Sequence, residues 1–140
     1  MALDGGSGGG GGGGPIGSSN PTGTGGGINY SGDFAFGYSG VISCDNNDVP
    51  MLNFTTGGEM VVATWQPFFS GASNTTNNMI WRMNLNDEKV QQVEADSSTD
   101  NNETVPLHII IPPYTTVLLT GRGPNGATDS SVTLTGRVYA

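Results

Sequence analysis

Glycine occupies fourteen of the first 27 positions, and apart from Met1 the only sizeable apolar side chains there are Leu3 and Ile16. A segment with so little to bury cannot build a hydrophobic core and is expected to be disordered by itself. Folding is therefore confined to the rest of the 140-residue chain. We divide the sequence into an extended glycine-rich arm over residues 1–28 and a folded domain over residues 29–140.

The composition of the arm predicts a partner that encloses it. Fixing one residue costs about 1 to 2 kcal/mol of backbone entropy, and glycine loses the most freedom. An ordered arm of this length needs on the order of 30 kcal/mol of compensation, which neighbouring chains can supply. We expect Leu3, Pro15, Ile16 and Pro21 to be its contact points. Residues 5–14 alone also resemble an artificial linker, but the prolines interrupt the simple repeat and favour a natural arm.

Beyond the arm, apolar residues recur with the two-residue period of β-strands and not with the period of a helix. The clearest run places Met79, Trp81, Met83 and Leu85 on one face, which should point into the core. Turn residues separate about eight such runs, at 34–42, 51–55, 59–66, 79–86, 89–95, 107–111, 115–120 and 132–139. This spacing predicts an all-β fold, a two-sheet antiparallel sandwich that is jelly-roll-like.

The charge and the apolar content narrow the range of partners. Twelve acidic residues against four basic ones give a net charge of −8. This charge repels a phosphate backbone, so we expect no nucleic-acid partner. No window approaches the roughly 20 apolar residues of a membrane span, and residues 1–4 lack the features of a signal peptide. We therefore expect no membrane partner and synthesis in the cytosol. The single cysteine, Cys44, cannot form a disulfide within the chain, and we expect it to be a buried thiol.

Residues suited to catalysis or to a cofactor are sparse. His108 is the only histidine, and nothing around it is spaced for a catalytic relay, so we expect a structural role. The sequence GRGPNG at 121–126 has the spelling of a dinucleotide loop but leads into a strand, so we interpret it as a turn. Oxygen-rich runs at 45–48 and 96–103 leave calcium open as an alternative. We predict that the protein is not an enzyme and has no cofactor.

An aromatic cluster near the end of the 59–66 run is the candidate contact patch of the domain. Trp65, Pro67, Phe68 and Phe69 follow where the strand is expected to end. We therefore expect them to be exposed and to bind a partner, mostly as a subunit contact.

Five segments carry a resemblance to a known class of protein: YSGVI at 38–42, LNFTTG at 52–57, WRMNLN at 81–86, IIIPPYT at 109–115 and VTLTGRVY at 132–139. In these segments the domain resembles small β-sandwich structural proteins of virions, particularly the head-decoration (cement) and tail-fibre-like proteins of tailed bacteriophages. The resemblance does not extend to the arm.

The resemblance implies a capsid decoration protein on the virion surface, assembled in the host cytoplasm. It further implies binding to the major capsid protein or other virion subunits, and a homo-oligomer, with a trimer favoured. The arm would then reach between capsid subunits. Two alternatives remain open: a receptor-binding module of a tail fibre or spike, and a lectin-like carbohydrate-binding domain unrelated to viruses.

Overall fold

The computed structural model describes residues 27–69, 79–95, 104–123 and 128–140. These ranges contain β-strands and no helix. The predicted all-β class is confirmed. The described residues form ten strands: β1 (Asn29–Ser31), β2 (Phe34–Tyr38), β3 (Ile42–Cys44), β4 (Val49–Thr55), β5 (Met60–Phe69), β6 (Met79–Leu85), β7 (Glu88–Ala95), β8 (Leu107–Ile111), β9 (Thr116–Arg122) and β10 (Thr128–Tyr139). Within the described residues, no helix is long and apolar enough to cross a membrane.

The strands form two antiparallel sheets, which confirms the predicted sandwich. One sheet has four strands in the order β4-β9-β6-β7. The other has the order β1-β2-β10-β5-β8, and β3 pairs with the beginning of β10. The long strand β10 is the centre of this larger sheet, because it pairs with β2 and β3 along one side and with β5 along the other.

The core lies between the sheets and is built from alternate residues of their strands. Met79, Trp81 and Met83 of β6 are fully buried, as their period predicts, and Leu85 is half-buried. Trp65 of β5 is also fully buried, from the opposite sheet. Burial of side chains of this size stabilises the fold by roughly 1.5 to 3 kcal/mol each.

Both tryptophans have a hydrogen-bond partner for the indole N–H, and each bond joins the two sheets. Trp81 Nε1 donates to Ser130 Oγ at 2.9 Å, and that hydroxyl donates to the carbonyl of Phe68 at 2.8 Å. Trp65 Nε1 donates to Gln91 Oε1 at 2.7 Å. These bonds remove the cost of burying a polar N–H group.

A tight hairpin turn connects β6 and β7. Asn86 and Asp87 have φ angles of 51° and 70°, and Leu85 pairs with Glu88. A two-residue turn with both central residues in the left-handed region is the type that matches the twist of paired strands, and Asn and Asp tolerate this region well.

The first predicted strand, at 34–42, is divided into β2 and β3 by Ser39. The Ser39 N–H donates to Val132 O at 3.0 Å, and the Val132 N–H donates to the Ser39 side chain at 2.8 Å. The hydroxyl therefore takes the place of a backbone acceptor. The chain then bends at Gly40, whose φ is 71°, and pairing with β10 resumes in β3. This division and the short strand β1 account for ten strands instead of about eight.

Candidate functional site

The four-stranded sheet has an outer face on which polar groups bind one another. Arg82 forms a salt bridge with Asp48 at 2.9 Å and donates from Nε to Gln92 Oε1 at 3.1 Å. Gln92 also accepts a hydrogen bond from Lys89 and donates one to Glu94. These polar groups already have hydrogen-bond partners and are solvated, so they would gain little from binding another molecule.

The outer face of the six-stranded sheet has a different composition. Strand pairing aligns its outward side chains in three rows that cross β2, β10 and β5, and the first two continue into β8: Phe34-Arg137-Val62-Ile110, Phe36-Thr135-Thr64-His108 and Tyr38-Thr133-Gln66. We call these the outer rows. An aromatic residue of β2 begins each row, and no row contains a carboxylate.

Exposed apolar side chains concentrate on this face. Among the described residues nine large apolar side chains are exposed, and five of them, with exposed fractions between 40% and 57%, lie here: Phe34, Val62, Phe68, Ile110 and Tyr139. Scattered apolar residues are normal on a protein surface, but a contiguous apolar area marks a place where another molecule binds.

A groove of about 480 Å³ crosses this face. Short residues of β5 and β10 line it together with longer ones from β2, β5 and the end of β10: Thr64, Thr135 and Gly136, with Phe34, Ala35, Phe36, Tyr38, Val62, Arg137 and Tyr139. We call it the aromatic groove. The rings of Phe36 and Tyr38 pack with centroids 5.6 Å apart, which is a favourable separation for aromatic pairs.

The electrostatics of the groove depend on one cation. The guanidinium carbon of Arg137 lies 5.1 Å from the centre of the Phe34 ring, so the cation rests on the ring face. Asp33 approaches Arg137 at 3.9 Å, but both side chains are well exposed, so solvent weakens this pair. The lining residues contain no carboxylate. The groove is therefore aromatic and almost uncharged on a protein that is strongly acidic.

The exposure expected for three of the four contact residues in the domain is wrong. Trp65, Pro67 and Phe69 are buried, and only Phe68 is exposed. The reason is the length of β5, which continues to residue 69, so that the odd-numbered side chains stay in the core. Proline is tolerated at position 67 because the pairing of β5 with β8 ends at Trp65, so no β8 carbonyl needs an N–H group from residue 67. The carbonyl of Pro67 accepts a hydrogen bond from the Thr104 hydroxyl, which precedes β8. Binding of a partner by Phe68 stays a prediction.

Several other predicted sites lie outside the described residues. These are the arm residues Leu3, Pro15, Ile16 and Pro21 and the oxygen-rich run at 96–103. Their roles stay predictions. Gly121 and Arg122 of the predicted turn are instead the last two residues of β9, and residues 124–126 lie outside the described residues, so the turn there stays a prediction.

The single cysteine and the single histidine, Cys44 and His108, both lie on strands of the fold. Cys44 is a buried free thiol, as predicted. Its pKa is raised to about 11, first by burial and then by Asp45 and Asp129, so the unreactive protonated form dominates. His108 lies on the outward side of β8, with Nδ1 2.9 Å from Thr64 Oγ1. No three His, Cys, Asp or Glu side chains within the described ranges are grouped to hold a metal ion.

Comparison of the chain with protein-family models, with characterised proteins and with solved structures gives no match.

Sequence analysis did not identify the aromatic groove. Its pattern places Phe34, Phe36 and Tyr38 on one face of a strand, but such a pattern ordinarily indicates the face that enters the core. The signal that points the other way is the pair Ala35 and Gly37, which face the core in their place. A strand with small residues on one side and rings on the other can bury the small side when it packs closely.

Proposed function

We propose that this chain is a virion structural protein, most specifically a capsid decoration (cement) protein that binds the major capsid protein or other virion subunits. It acts as a homo-oligomer on the virion surface, is assembled in the host cytoplasm and has no enzymatic activity. The domain contacts other subunits through the outer face of the six-stranded sheet, and the part of the predicted arm that precedes the buried Ile28 extends between capsid subunits. The observation that carries the proposal is the aromatic face, which has one cation and no carboxylate in its outer rows.

That face supports a protein partner. Aromatic side chains such as Phe34 and Tyr139 gain most when they are removed from water, because their large apolar area dominates the energetics of interfaces. The polar, charged face of the opposite sheet keeps the assembled protein soluble. A subunit of a larger particle needs one surface of each kind.

The order of the strands supports jelly-roll connectivity. When β2 and β3 are counted as one interrupted strand, the eight strands from β2 to β10 divide equally between the sheets. Among these eight strands, the chain crosses from one sheet to the other at every connection except the β6-β7 hairpin. Viral capsid domains and lectin domains both use this architecture, so the fold is compatible with either function and does not distinguish between them.

The chemistry of the groove favours a protein over a sugar. A carbohydrate presents many hydroxyl groups, and a site that binds one requires several fixed polar partners. Thr64, Thr135, Arg137 and the hydroxyls of two tyrosines are the only polar side-chain groups in the lining, which has no carboxylate or amide side chain. The lectin-like alternative is therefore weaker. The tail-fibre alternative shares the same face and is separated by location.

The test is binding to particles of the virus that encodes the chain. A deletion of residues 1–26 keeps Ile28, which is buried in the core. We expect this variant to retain its thermal unfolding transition and to lose at least about tenfold in particle affinity, because the arm supplies the second attachment point. Full occupancy by the deleted form contradicts the role of the arm.

Electron microscopy of decorated particles locates the subunit. Density spread over the whole capsid supports a decoration protein, whereas density confined to the tail or to a spike supports the receptor-binding alternative. Absence from the particle, combined with binding to a glycan array that is lost in a Phe36→Ala variant, would favour the lectin-like alternative.

A further inference from the structure

An interface between two copies of this chain has to keep carboxylates apart. Each copy has a net charge of −8, and placing like charges opposite one another costs several kcal/mol. The outer rows satisfy this requirement, since they contain no Asp or Glu and Arg137 is their only Lys or Arg. The outer face of the four-stranded sheet does not satisfy it, because Asp48 and Glu94 lie there.

The same face carries both halves of each contact that a two-fold interface needs. In such an interface a surface meets a copy of itself, so a ridge and its matching groove must both be present. The ridge is the row of aromatic side chains Phe34, Phe36 and Tyr38 along β2, which forms one wall of the aromatic groove, and the short side chains of β10 and β5 lie beside it in the groove. A two-fold rotation places the ridge of each copy in the groove of the other.

The charged pair at one end of the face is also self-complementary. Arg137 and Asp33 are 3.9 Å apart, and both are exposed. Within one copy this pair contributes little, because water screens it. Across a two-fold axis the same two groups provide one cation and one anion on each side, so each arginine can bind the aspartate of the partner copy.

The face is large enough for a specific interface. Four strands spaced by about 4.8 Å, each with about 25 Å of length, cover on the order of 500 Å² per copy. Two copies then bury about 1,000 Å², which is the lower bound for a specific protein interface. Aligned packing of sheets about 10 Å apart is a common arrangement in sandwiches, and it suits two faces of this shape.

We propose that the outer face of the six-stranded sheet binds a second copy of this chain in a two-fold dimer, with the β2 ridge of each copy in the aromatic groove of the other. This inference deepens the proposed function, on which it rests, because it names the partner of the face that carries that function. The oligomer formed in this way is a dimer, in contrast to the trimer that the resemblance favours.

Sedimentation velocity of the purified full-length chain tests the proposal. We expect a reversible monomer–dimer equilibrium, with a species of twice the 14.4 kDa chain mass that grows with concentration. Val62 lies in the middle of an outer row and is 40% exposed in the monomer. Val62→Asp buries an unpaired charge in the dimer, so it should weaken the dimer at least about 100-fold.

A matched control exists on the other sheet. Val90 of β7 has nearly the same exposure, at 46%, and the same side chain. Val90→Asp should leave the dimer unchanged. Ile110→Asp tests the row from its edge strand and should weaken the dimer as Val62→Asp does. Urea unfolding of each variant shows whether its domain is still folded, so that misfolding is not mistaken for dissociation.

Four outcomes would overturn the proposal. They are a wild-type chain that stays monomeric at every concentration, a trimer as the limiting species, equal effects of Val62→Asp and Val90→Asp, and a dimer that depends on residues 1–26 but not on Val62. Particle binding is measured separately. A monomer that still decorates particles would contradict the dimer and leave the proposed function standing. A Val62-dependent dimer that never binds particles would contradict the proposed function and leave the dimer standing.

Discussion

Several glycines of the described residues lie where the surrounding atoms leave no room for a side chain, and Gly136 and Gly121 differ in which atoms surround them. A Cβ added at Gly136 would lie 2.5 Å from the carbonyl oxygen of Val62 and 2.9 Å from the Cα of Ala63. Both atoms belong to the backbone of the neighbouring strand, which cannot move without breaking the ladder. A Cβ added at Gly121 would meet the sulfur of Met51 at 2.7 Å. Methionine is flexible and yields more easily.

We therefore expect Gly136→Ala to lower the free energy of unfolding by about 3 kcal/mol and Gly121→Ala by about 1 to 2 kcal/mol. Gly58→Ala is the control, because its new Cβ would meet only the hydroxyl end of the exposed Tyr114 side chain. It should change stability by less than about 0.5 kcal/mol. Urea denaturation measures all three, and equal stability of the variants would refute the steric argument.

The thiol of Cys44 makes stability depend on alkaline pH. Burial raises its pKa from the ordinary value of 9.0 to about 11. The unfolded chain therefore loses the thiol proton near pH 9, whereas the folded chain keeps it until about pH 11. The resulting stability is fully present below pH 9 and is lost as the pH rises toward 11. Tyr30 acts in the same direction at still higher pH, because burial and its hydrogen bond to Glu59 raise its pKa.

The expected loss from Cys44 over this range is about 2 to 3 kcal/mol in the free energy of unfolding. Urea unfolding of the wild type and of Cys44→Ala, below pH 9 and near pH 11, measures it. The variant has no thiol, so its stability should fall less by that amount. An identical pH dependence in the two proteins would show that the thiol is not the cause.

At the scale of elements, Gln91 closes one side of the sandwich. Its amide joins three strands, since Oε1 accepts from Trp65 Nε1 of β5 at 2.7 Å and Nε2 donates to the carbonyl of His108 in β8 at 2.8 Å. Gln91 itself belongs to β7 of the other sheet. The neighbouring Gln92 points outward and contacts exposed groups alone.

We expect Gln91→Ala to lower stability by about 1 to 3 kcal/mol, because it leaves the buried indole N–H without an acceptor. Gln92→Ala should cost less than about 0.5 kcal/mol. In a double-mutant cycle, Trp65→Phe should cost less stability when Gln91 is already alanine, since the polar N–H has then lost its partner. Additive effects in that cycle would contradict a direct coupling of the two residues.

At the scale of the whole molecule, charge and apolar area are segregated on opposite sheets. The face of the four-stranded sheet bears carboxylates together with Arg82 and Lys89, whereas the outer rows bear aromatic and β-branched side chains. Long-range repulsion between two acidic copies therefore opposes dimerisation, while the interface itself contains little charge.

Screening should strengthen the proposed dimer. Raising the salt concentration from about 0.02 to about 0.5 M shortens the Debye length from roughly 20 Å to a few ångströms, so we expect the dimer to tighten several-fold. Sedimentation velocity at the two salt concentrations measures the change. A dimer that weakens with salt would instead depend mainly on ion pairs such as the one between Arg137 and Asp33, and would contradict an interface held together by its apolar side chains.

By itself the sequence determined the features that depend on neighbours along the chain. Alternation of Met79, Trp81 and Met83 defined a strand and its buried face, and Asn86 with Asp87 defined the hairpin turn. The acidic charge was equally plain, because composition needs no fold to be counted.

The tertiary structure decided which apolar residues are buried and which form a site. Pairing with β10 extends β5 to Phe69, so Trp65 enters the core instead of the predicted contact patch. Phe34 becomes exposed because Ala35 faces the core in its place. Both outcomes depend on contacts between residues far apart in the sequence, and the period of a single strand identifies its two faces without showing which of them the other sheet covers.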